Sequence, residues 1–344
     1  MLSEKRTIVP LISSGLFDFQ SEQFYMRKTI GCGIFSFVVY AIASWMLLTF
    51  AVGWPAIAFA ADEKTAAKSK DEENEPPPKP KAVTLTTADQ IPLKATYYPG
   101  SKEENSIPII LVHATKGDRS DLEDLALYLQ GLGHAVIAPD LRGHGENPHF
   151  TIKPADYDAI IAHDMEAVKR FLRDENNEKK LNIDALCIVG VGSGAVVAIN
   201  YARADWSYLP LSSGKQGQDV KALVMISPDL SIKGLGAKDA LADPLIRANL
   251  SVLVIYGEKN SKAAKEAKLV YQAFERYHPT PPPAEALEKQ DLFKVTPATA
   301  LQGAKLLNEE NFKSDLQGNI GKFIELRLVK KAFPWALRRN PLEK

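Results

Sequence analysis

Residues 186–198 read LCIVGVGSGAVVA and contain the pattern from which the fold is predicted. It begins with an apolar run typical of a buried strand. Gly190, Gly192 and Gly194 then form a glycine-rich corner, and small residues open a helix directly after it. The stretch therefore predicts a strand that turns sharply into a helix, with Ser193 at the turn.

Strands and helices alternate on both sides of this corner, which predicts a mainly parallel, twisted α/β sheet of about eight strands with helices on both faces. The expected strands are Val83–Thr87, Leu93–Tyr98, Ile109–His113, Ala135–Ala138, Leu186–Val189, Ala222–Ile226, Val252–Tyr256 and Leu292–Val295. The expected helices include Ser120–Gly131, Tyr157–Arg173, 261–277 and 318–330. Ser120 and Glu123 have the S-x-x-E spacing of a capping box, which predicts the start of the first of these helices.

The composition predicts a folded core and gives no indication of a nucleic acid partner. The 344 residues are 45% hydrophobic, enough for a substantial core, and the formal net charge is zero. That balance gives no reason to expect a nucleic acid partner. The two cysteines, Cys32 and Cys187, lack metal-ligand spacing, and no two histidines are spaced H-x-x-x-H. We therefore expect neither a metal site nor a cofactor.

Residues 1–60 have the pattern of a signal or transmembrane segment. An apolar run without charged residues covers 30–54, behind Arg27 and Lys28. It exceeds the roughly 20 residues that a membrane-spanning helix needs, and the basic flank predicts that the rest of the chain is translocated. Ala58-Phe59-Ala60 fits a cleavage site. Two interpretations stay open, a cleaved export signal and a single membrane anchor, and both predict an extracytoplasmic domain.

The rest of the chain divides into three parts. Residues 61–82 are rich in charge and proline, cannot bury enough apolar surface to fold, and are expected to be a disordered linker. One domain is expected over 83–330, followed by a basic C-terminal tail over 331–344.

Three stretches, in this order, resemble the α/β-hydrolase superfamily, in its serine esterase, lipase and aminopeptidase-like branch. Ile107–Asn147 resembles the strand and oxyanion loop, the first helix, the next strand and the D-x-R-G-H-G loop of that family. Val189–Ala195 resembles its nucleophile elbow, G-x-S-x-G. Ser251–Asn260 resembles the strand that leads to the catalytic acid. With a closing segment, the resemblance covers about 83–330 and implies an α/β-hydrolase-like fold.

The same resemblance implies that the catalytic triad is missing. In that family a serine attacks a carbonyl, a histidine takes its proton and an acid orients the histidine. The matching positions here hold Gly192, Asn260 and, within ATALQGAKLLN (298–308), Gln302. We therefore expect a non-catalytic binding or interaction protein, whose pocket would take an unknown small molecule or protein. The membrane is the other expected partner, if the N-terminal segment is not cleaved.

Some residues of the expected pocket admit a catalytic alternative. The oxyanion loop and elbow would line it with His113, Ala114, Thr115 and Ser193. An active serine ester or peptide hydrolase could use Ser193 as a displaced nucleophile and Asp229 as a relocated acid, or another non-standard site. The simpler interpretation makes Ser193 a small residue at a helix start and Asp229 a loop residue. Asn260 is expected to cap a helix, since asparagine is a favoured N-cap.

A nucleotide-binding alternative is weaker. Gly190, Gly192 and Ala195 fit G-x-G-x-x-A, a relative of the dinucleotide fingerprint. That fingerprint requires an acidic residue about 20 positions later, at the end of the next strand. The acidic residue after the next expected strand is Asp229, much further along the chain.

Overall fold

The computed structural model describes residues 76–147, 151–209, 211–212 and 214–338. The expected signal or membrane segment (1–60) lies outside the described residues, as do most of the expected linker and the end of the basic tail. Within the part that is described, no helix has the length and apolar character needed to cross a bilayer.

Eight strands form one sheet, with the order β1-β2-β4-β3-β5-β6-β9-β10. The strands β1 and β2 run antiparallel at one edge, and the other six are parallel to one another. The predicted fold class is confirmed. In chain order, the strands of this sheet are β1 Lys81–Thr86, β2 Pro92–Tyr98, β3 Pro108–Val112, β4 Ala135–Pro139, β5 Leu186–Val191, β6 Val220–Ile226, β9 Ser251–Ile255 and β10 Leu292–Val295. Between β6 and β9, the chain forms a separate short hairpin of β7 Ser231–Ile232 and β8 Leu235–Gly236.

Helices connect the strands. They are α1 Glu123–Gly131, α2 Pro154–Ala159, α3 Met165–Asn177, α4 Gly194–Ser207, α5 Lys238–Ala242, α6 Pro244–Asn249, α7 Ser261–Glu275, α8 Ala286–Lys289, α9 Gly303–Leu307 and α10 Glu310–Ile324. A π-helical turn, Ile160–Asp164, joins α2 to α3, and another, Glu325–Val329, extends α10. The single helix expected at Tyr157–Arg173 is therefore α2, a π turn and α3.

The sheet has helices on both faces. The buried side chains of α1 and α10 pack on one face, together with Ile109 and Leu111 of β3. Those of α3, α4 and α7 pack on the other, together with Ile110 and Val112. Because side chains alternate across a strand, a strand between two helical layers must be apolar at every position. This is why the whole of β3 reads as an apolar run.

The first helix does not start as its sequence predicts. Asp118, not Ser120, supplies the cap: its Oδ1 accepts the backbone N–H of Ser120 at 2.8 Å, and a short 3-10 turn, Arg119–Leu122, leads into α1. The expected Ser120–Glu123 capping box is wrong, because Leu122 occupies the N-cap of α1 and no side chain caps the helix there.

The C-terminal segment packs where β5 and β6 begin. The Asn182 amide donates to the carbonyl of Phe333 at 2.7 Å, and the Trp335 indole N–H donates to the carbonyl of Asn176 at 3.3 Å. Arg338 is 5% exposed and lies among carboxylates that precede these two strands. Residues 333–338 thus belong to the packed domain.

Candidate functional site

The corner after β5 has the geometry of a nucleophile elbow. Gly192 has a φ of +55°, in the left-handed region that favours glycine, and its N–H donates to the carbonyl of Ile226 at 2.8 Å. Its own carbonyl accepts the N–H of Asp229 at 3.2 Å. A Cβ on Gly194 would lie 2.3 Å from the carbonyl oxygen of Val112, so only glycine permits this approach of α4 to β3. Such a strained strand-to-helix turn is the one that presents a nucleophile at the top of the sheet.

The nucleophile position has room for a side chain that it lacks. A Cβ built on Gly192 would lie 3.4 Å from the Cβ of Ala114 and 3.8 Å from Oδ2 of Asp229, both ordinary contacts. Packing at this position therefore leaves space for the serine that the turn usually carries.

The hydroxyl one position later is engaged with the loop after β3. Ser193 Oγ accepts the backbone N–H of Thr115 at 2.7 Å and donates to Thr115 Oγ1 at 3.1 Å. Its side chain does not cap α4, although Ser193 occupies the N-cap. The serine is 5% exposed. Ser193 therefore fixes the β3 loop against the elbow.

This contact uses a backbone donor of the expected oxyanion hole. In this type of site the hole combines the N–H of the residue after the nucleophile with an N–H from the loop after β3. Thr115 lies in that loop, and its N–H is already bonded to Ser193 Oγ. A substrate oxygen could reach this donor only by displacing the hydroxyl.

Gln302 ties the end of β9 to the loop before α9. Its Nε2 donates to the carbonyl of Gly257 at 2.8 Å, and its Oε1 accepts the N–H of Gly257 at 3.3 Å. Next to it, the N–H of Gly303 donates to Ser227 Oγ at 2.9 Å. An amide satisfies both backbone groups of Gly257 because it carries a donor and an acceptor side by side.

Asn260 is the N-cap of α7. Its Oδ1 accepts the N–H of Ala263 at 3.2 Å, and its backbone is extended. The residue at the expected acid position is thus bonded to its own helix.

Asp229 lies beside the empty nucleophile position. Burial raises the pKa of its carboxyl group, and nearby Glu266 raises it further, while Lys262 acts in the opposite direction. Within the described residues no hydrogen bond joins Ser193 to Asp229 or to any imidazole. The structure brings Ser193 and Asp229 to the same end of the sheet, but no hydrogen bond joins their side chains.

Two histidines brace the loops around the elbow. His113 Nε2 accepts the N–H of Leu141 at 3.0 Å, so its Nδ1 carries the proton and donates to the carbonyl of Ala114 at 2.8 Å. Burial lowers the pKa of this ring. The ring nitrogens of His144 lie 2.9 Å from the carbonyl of Arg142 and 3.0 Å from that of Thr115. Both rings are therefore committed to backbone groups.

Other described histidines lie elsewhere. His134 immediately precedes β4 and His278 follows α7, both away from the carboxyl ends of the strands where the elbow lies. Burial lowers the pKa of each ring. Among the residues that the structure describes, no group of three or more His, Cys, Asp or Glu is placed to hold a metal ion.

Sequence reasoning did not find the bonds that define this site. The partners Thr115 and Ser193 are 78 residues apart, and Gly257 and Gln302 are 45 residues apart. No local pattern marks either pair. The local feature that points to the Thr115–Ser193 contact is the serine itself, which stands one residue after the expected nucleophile position.

The chain belongs to the alpha/beta hydrolase family, whose model matches residues 109–317, well over half of the chain. Among curated proteins, two uncharacterized proteins from two strains of Mycobacterium tuberculosis are each 28% identical over 155 residues, which covers 45% of this chain and 48% of theirs. The chain thus spans about half the length of the curated relatives that it matches.

Solved structures of esterases and a related hydrolase share the fold. An esterase from Pyrococcus furiosus is 15% identical with a TM-score of 0.55, over 73% of this chain and 91% of that one. An esterase from Pyrobaculum calidifontis is 16% identical with a TM-score of 0.52, over 77% and 89%. A dienelactone hydrolase from Anabaena variabilis is 13% identical with a TM-score of 0.50, over 74% and 100%. At these identities the likeness concerns the fold alone.

Proposed function

We propose that this α/β-hydrolase domain binds a ligand or a protein partner at the elbow and does not carry out acyl transfer. One observation carries the proposal: the hydroxyl of Ser193 is bonded to the backbone N–H of Thr115, beside a nucleophile position that has no side chain. The hydroxyl thereby occupies a donor that catalysis would need.

The rate losses expected from these replacements favour a site without hydrolase activity. Removal of a complete triad leaves roughly 10³–10⁴-fold acceleration over water in well-studied hydrolases, and that remainder comes from the oxyanion hole and binding. Loss of one oxyanion donor costs about 10²–10³-fold in turnover. Here Gly192, Asn260 and Gln302 replace the triad, and the Thr115 donor is taken. Little of the family's rate enhancement is left.

Binding is compatible with these replacements. A buried acid–histidine pair pays a desolvation penalty that neutral groups avoid. Gln302 is satisfied by Gly257 and Asn260 by α7, so both lost catalytic positions now stabilise the walls of the site. A pocket at the carboxyl ends of the strands can thus persist with its chemistry removed.

The proposal is tested with a fluorophosphonate probe, which labels activated serines. We expect no labelling of the full chain, and no difference between the wild type and Ser193→Ala. Covalent labelling of the wild type that disappears in Ser193→Ala would overturn the proposal.

The alternative is an active serine ester or peptide hydrolase that uses Ser193 or a non-standard arrangement. It is favoured by the position of Asp229, whose raised pKa and closeness to Gly192 suit an acid–base group. Labelling at Ser193 that also disappears in Asp229→Asn would support this alternative.

We further propose that the domain works outside the cytoplasm, either exported or held by one N-terminal membrane segment. The apolar run 30–54 and the cleavage pattern before Ala61 support this. N-terminal sequencing and fractionation of the mature protein test it. An N-terminus at Ala61 indicates export, and an intact chain in the membrane fraction indicates an anchor. An intact chain in the cytosolic fraction would contradict both.

A further inference from the structure

A cavity lies at the opposite end of the sheet from the elbow. It has a volume of about 360 Å³ and is bounded by α1, by α10 and its π-helical extension, and by the residues that lead into β3 and β4. This volume falls within the roughly 300–1,000 Å³ of small-molecule sites. The elbow does not contribute to its lining.

Glycines of α10 form part of the cavity wall. A Cβ on Gly321 would lie 2.8 Å from Leu132 Cδ1 and 3.0 Å from the hydroxyl of Tyr128, so this glycine lets α1 approach α10 closely. A Cβ on Gly318 would meet nothing within 4 Å. With Leu132, Val329 and the ring of Tyr128, these residues give the cavity an apolar body.

A polar group in the cavity wall lacks a partner. The side chain of His134 lines the cavity and is 3% exposed, and its Nδ1 has no hydrogen-bond partner among the described residues. A buried polar atom without a partner destabilises the fold, because it has lost its hydrogen bonds to water. Burial, followed by the charge of Lys102, lowers the pKa of His134 to about 4, so the ring is neutral near pH 7. A neutral ring carries one N–H. Because Nδ1 is enclosed by the protein, the ring can offer this N–H to a bound acceptor only at Nε2.

Positive charge predominates around the cavity. Lys102 forms no ion pair with a residue that the structure describes, and its aliphatic stem lies across Gly133. Lys322 Nζ lies 3.2 Å from a carboxylate oxygen of Glu325, which also pairs with Lys330 at 3.3 Å. Glu325 thus pairs with two ammonium groups, and the charge of Lys102 has no carboxylate partner among the described residues.

We propose that this cavity binds a small carboxylate with an apolar body, whose carboxylate group pairs with Lys102 and accepts a hydrogen bond from His134. The apolar body would lie against Leu132, Val329 and the ring of Tyr128. An anion suits the uncompensated ammonium group, and an apolar body suits the walls. The site is separate from the elbow and does not depend on the function proposed there.

Hexanoate is the probe, and the ring resonances of His134 in the isotope-labelled full chain are the readout. The spectrum of His134→Asn assigns these resonances. We expect a saturable shift on adding millimolar hexanoate, with a rise in the pKa of His134, because the bound anion offsets the charge of Lys102. Hexanol has the same chain length without the charge and should bind at least about tenfold more weakly.

Two variants locate the ligand. Lys102→Met keeps the stem but removes the charge, and should weaken hexanoate binding about tenfold or more. Gly318→Phe fills the cavity and leaves every charge in place, so it should abolish binding. Gly318→Ala is its matched control and should bind as the wild type does, while melting curves establish that both variants fold.

Three results would overturn the proposal. The first is the absence of any hexanoate-dependent shift at His134. The second is equal binding by wild type and Lys102→Met, or equal binding of hexanol and hexanoate, which would remove the role of the charge. The third is unchanged binding in a folded Gly318→Phe variant, which would place the ligand elsewhere.

Discussion

At the scale of the residue, moving a hydroxyl by one position changes the atoms that it can reach. A side chain on Gly192 would face Ala114 and Asp229, whereas that of Ser193 faces the backbone of Thr115. The sequence predicted the missing side chain at Gly192, because the glycine pattern fixes the register of the turn. It did not predict the new partner of Ser193, since that partner comes from another strand of the sheet.

Gly192→Ser should fold and remain inactive. The new Cβ meets no close atom, and the left-handed backbone costs roughly 1–2 kcal/mol for a residue other than glycine. We expect no proton transfer from the new hydroxyl, because the resemblance places Gln302 rather than a histidine at the position of the base. Hydrolysis of a p-nitrophenyl ester measures the outcome, with a melting curve to establish folding. Rapid turnover would mean that Gln302 does not occupy the position of the base.

Ser193→Ala should destabilise the domain. It leaves the N–H of Thr115 without its acceptor in a largely closed site, which costs about 1–3 kcal/mol. Urea unfolding measures the free energy of unfolding. The matched control is Ser207→Ala at the exposed end of α4, where the change should stay within about 0.5 kcal/mol. Equal values for the two variants would show that the bond to Thr115 contributes nothing.

At the scale of the element, the π-helical turn between α2 and α3 contains Asp164, which forms an ion pair with Arg142. Asp164, in this turn, accepts the backbone N–H of Arg142 at 2.9 Å and its Nε at 2.8 Å. On the outer side, Asp89 accepts Nη1 of the same guanidinium at 2.8 Å. Hydrophobic periodicity predicted one continuous helix here, and it carries no signal for the wider turn. Short π-helical turns of this kind occur frequently at functional sites.

The two carboxylates of this network should differ sharply in importance. Asp164 is fully buried, so Asp164→Asn leaves the buried Arg142 with only the partly exposed Asp89 as a counter-ion and should cost about 3–5 kcal/mol. Asp89 is partly exposed and screened by water, so Asp89→Asn should cost less than about 1 kcal/mol. Urea unfolding of both variants near pH 7 measures the contrast. A larger loss for Asp89→Asn would reverse this assignment.

The contribution of Asp89 should depend on pH in a defined window. Hydrogen bonding to Arg142 lowers the pKa of Asp89 from 3.8 to about 2. A carboxyl whose pKa falls on folding stabilises the folded state above its unfolded pKa and loses that effect as pH falls through its folded pKa. The difference in free energy of unfolding between wild type and Asp89→Asn should therefore be constant above about pH 5 and shrink toward pH 2. Comparing the two proteins at each pH cancels the other carboxyl groups.

At the scale of the whole molecule, the order of the strands shows what local patterns leave undetermined. Apolar runs located the central strands β3, β4, β5 and β9, because every residue of these strands is buried. All eight expected strands are present, including the more exposed edge strands β1 and β10. The apolar runs did not show that β4 lies between β2 and β3, since register across a sheet depends on contacts between distant segments. Local patterns likewise did not predict the packing of the C-terminal segment, residues 333–338. Its contacts with the segments that precede β5 and β6 join residues more than 100 positions apart.

Arg338 should be essential for the stability of this junction. Its Nη1 donates to the carbonyl of Lys215 at 2.8 Å, and its Nη2 pairs with Asp184 at 3.4 Å and with Asp219. Burial lowers the pKa of Arg338, while its acidic neighbours favour the charged form. Arg338→Met leaves the buried Asp219 short of one cation and should cost about 3–5 kcal/mol.

Urea unfolding of the full chain measures this loss against two controls. Arg338→Lys keeps the charge but lacks the planar fork that reaches several acceptors at once, and should fall between Arg338→Met and the wild type. Lys330→Met removes an exposed cation nearby in the sequence and should cost less than about 1 kcal/mol. Because the Arg338 pairs are buried, the loss in Arg338→Met should also persist at high salt, where exposed pairs are screened. A loss no greater than that of Lys330→Met would mean that the C-terminal segment lies on the domain without stabilising it.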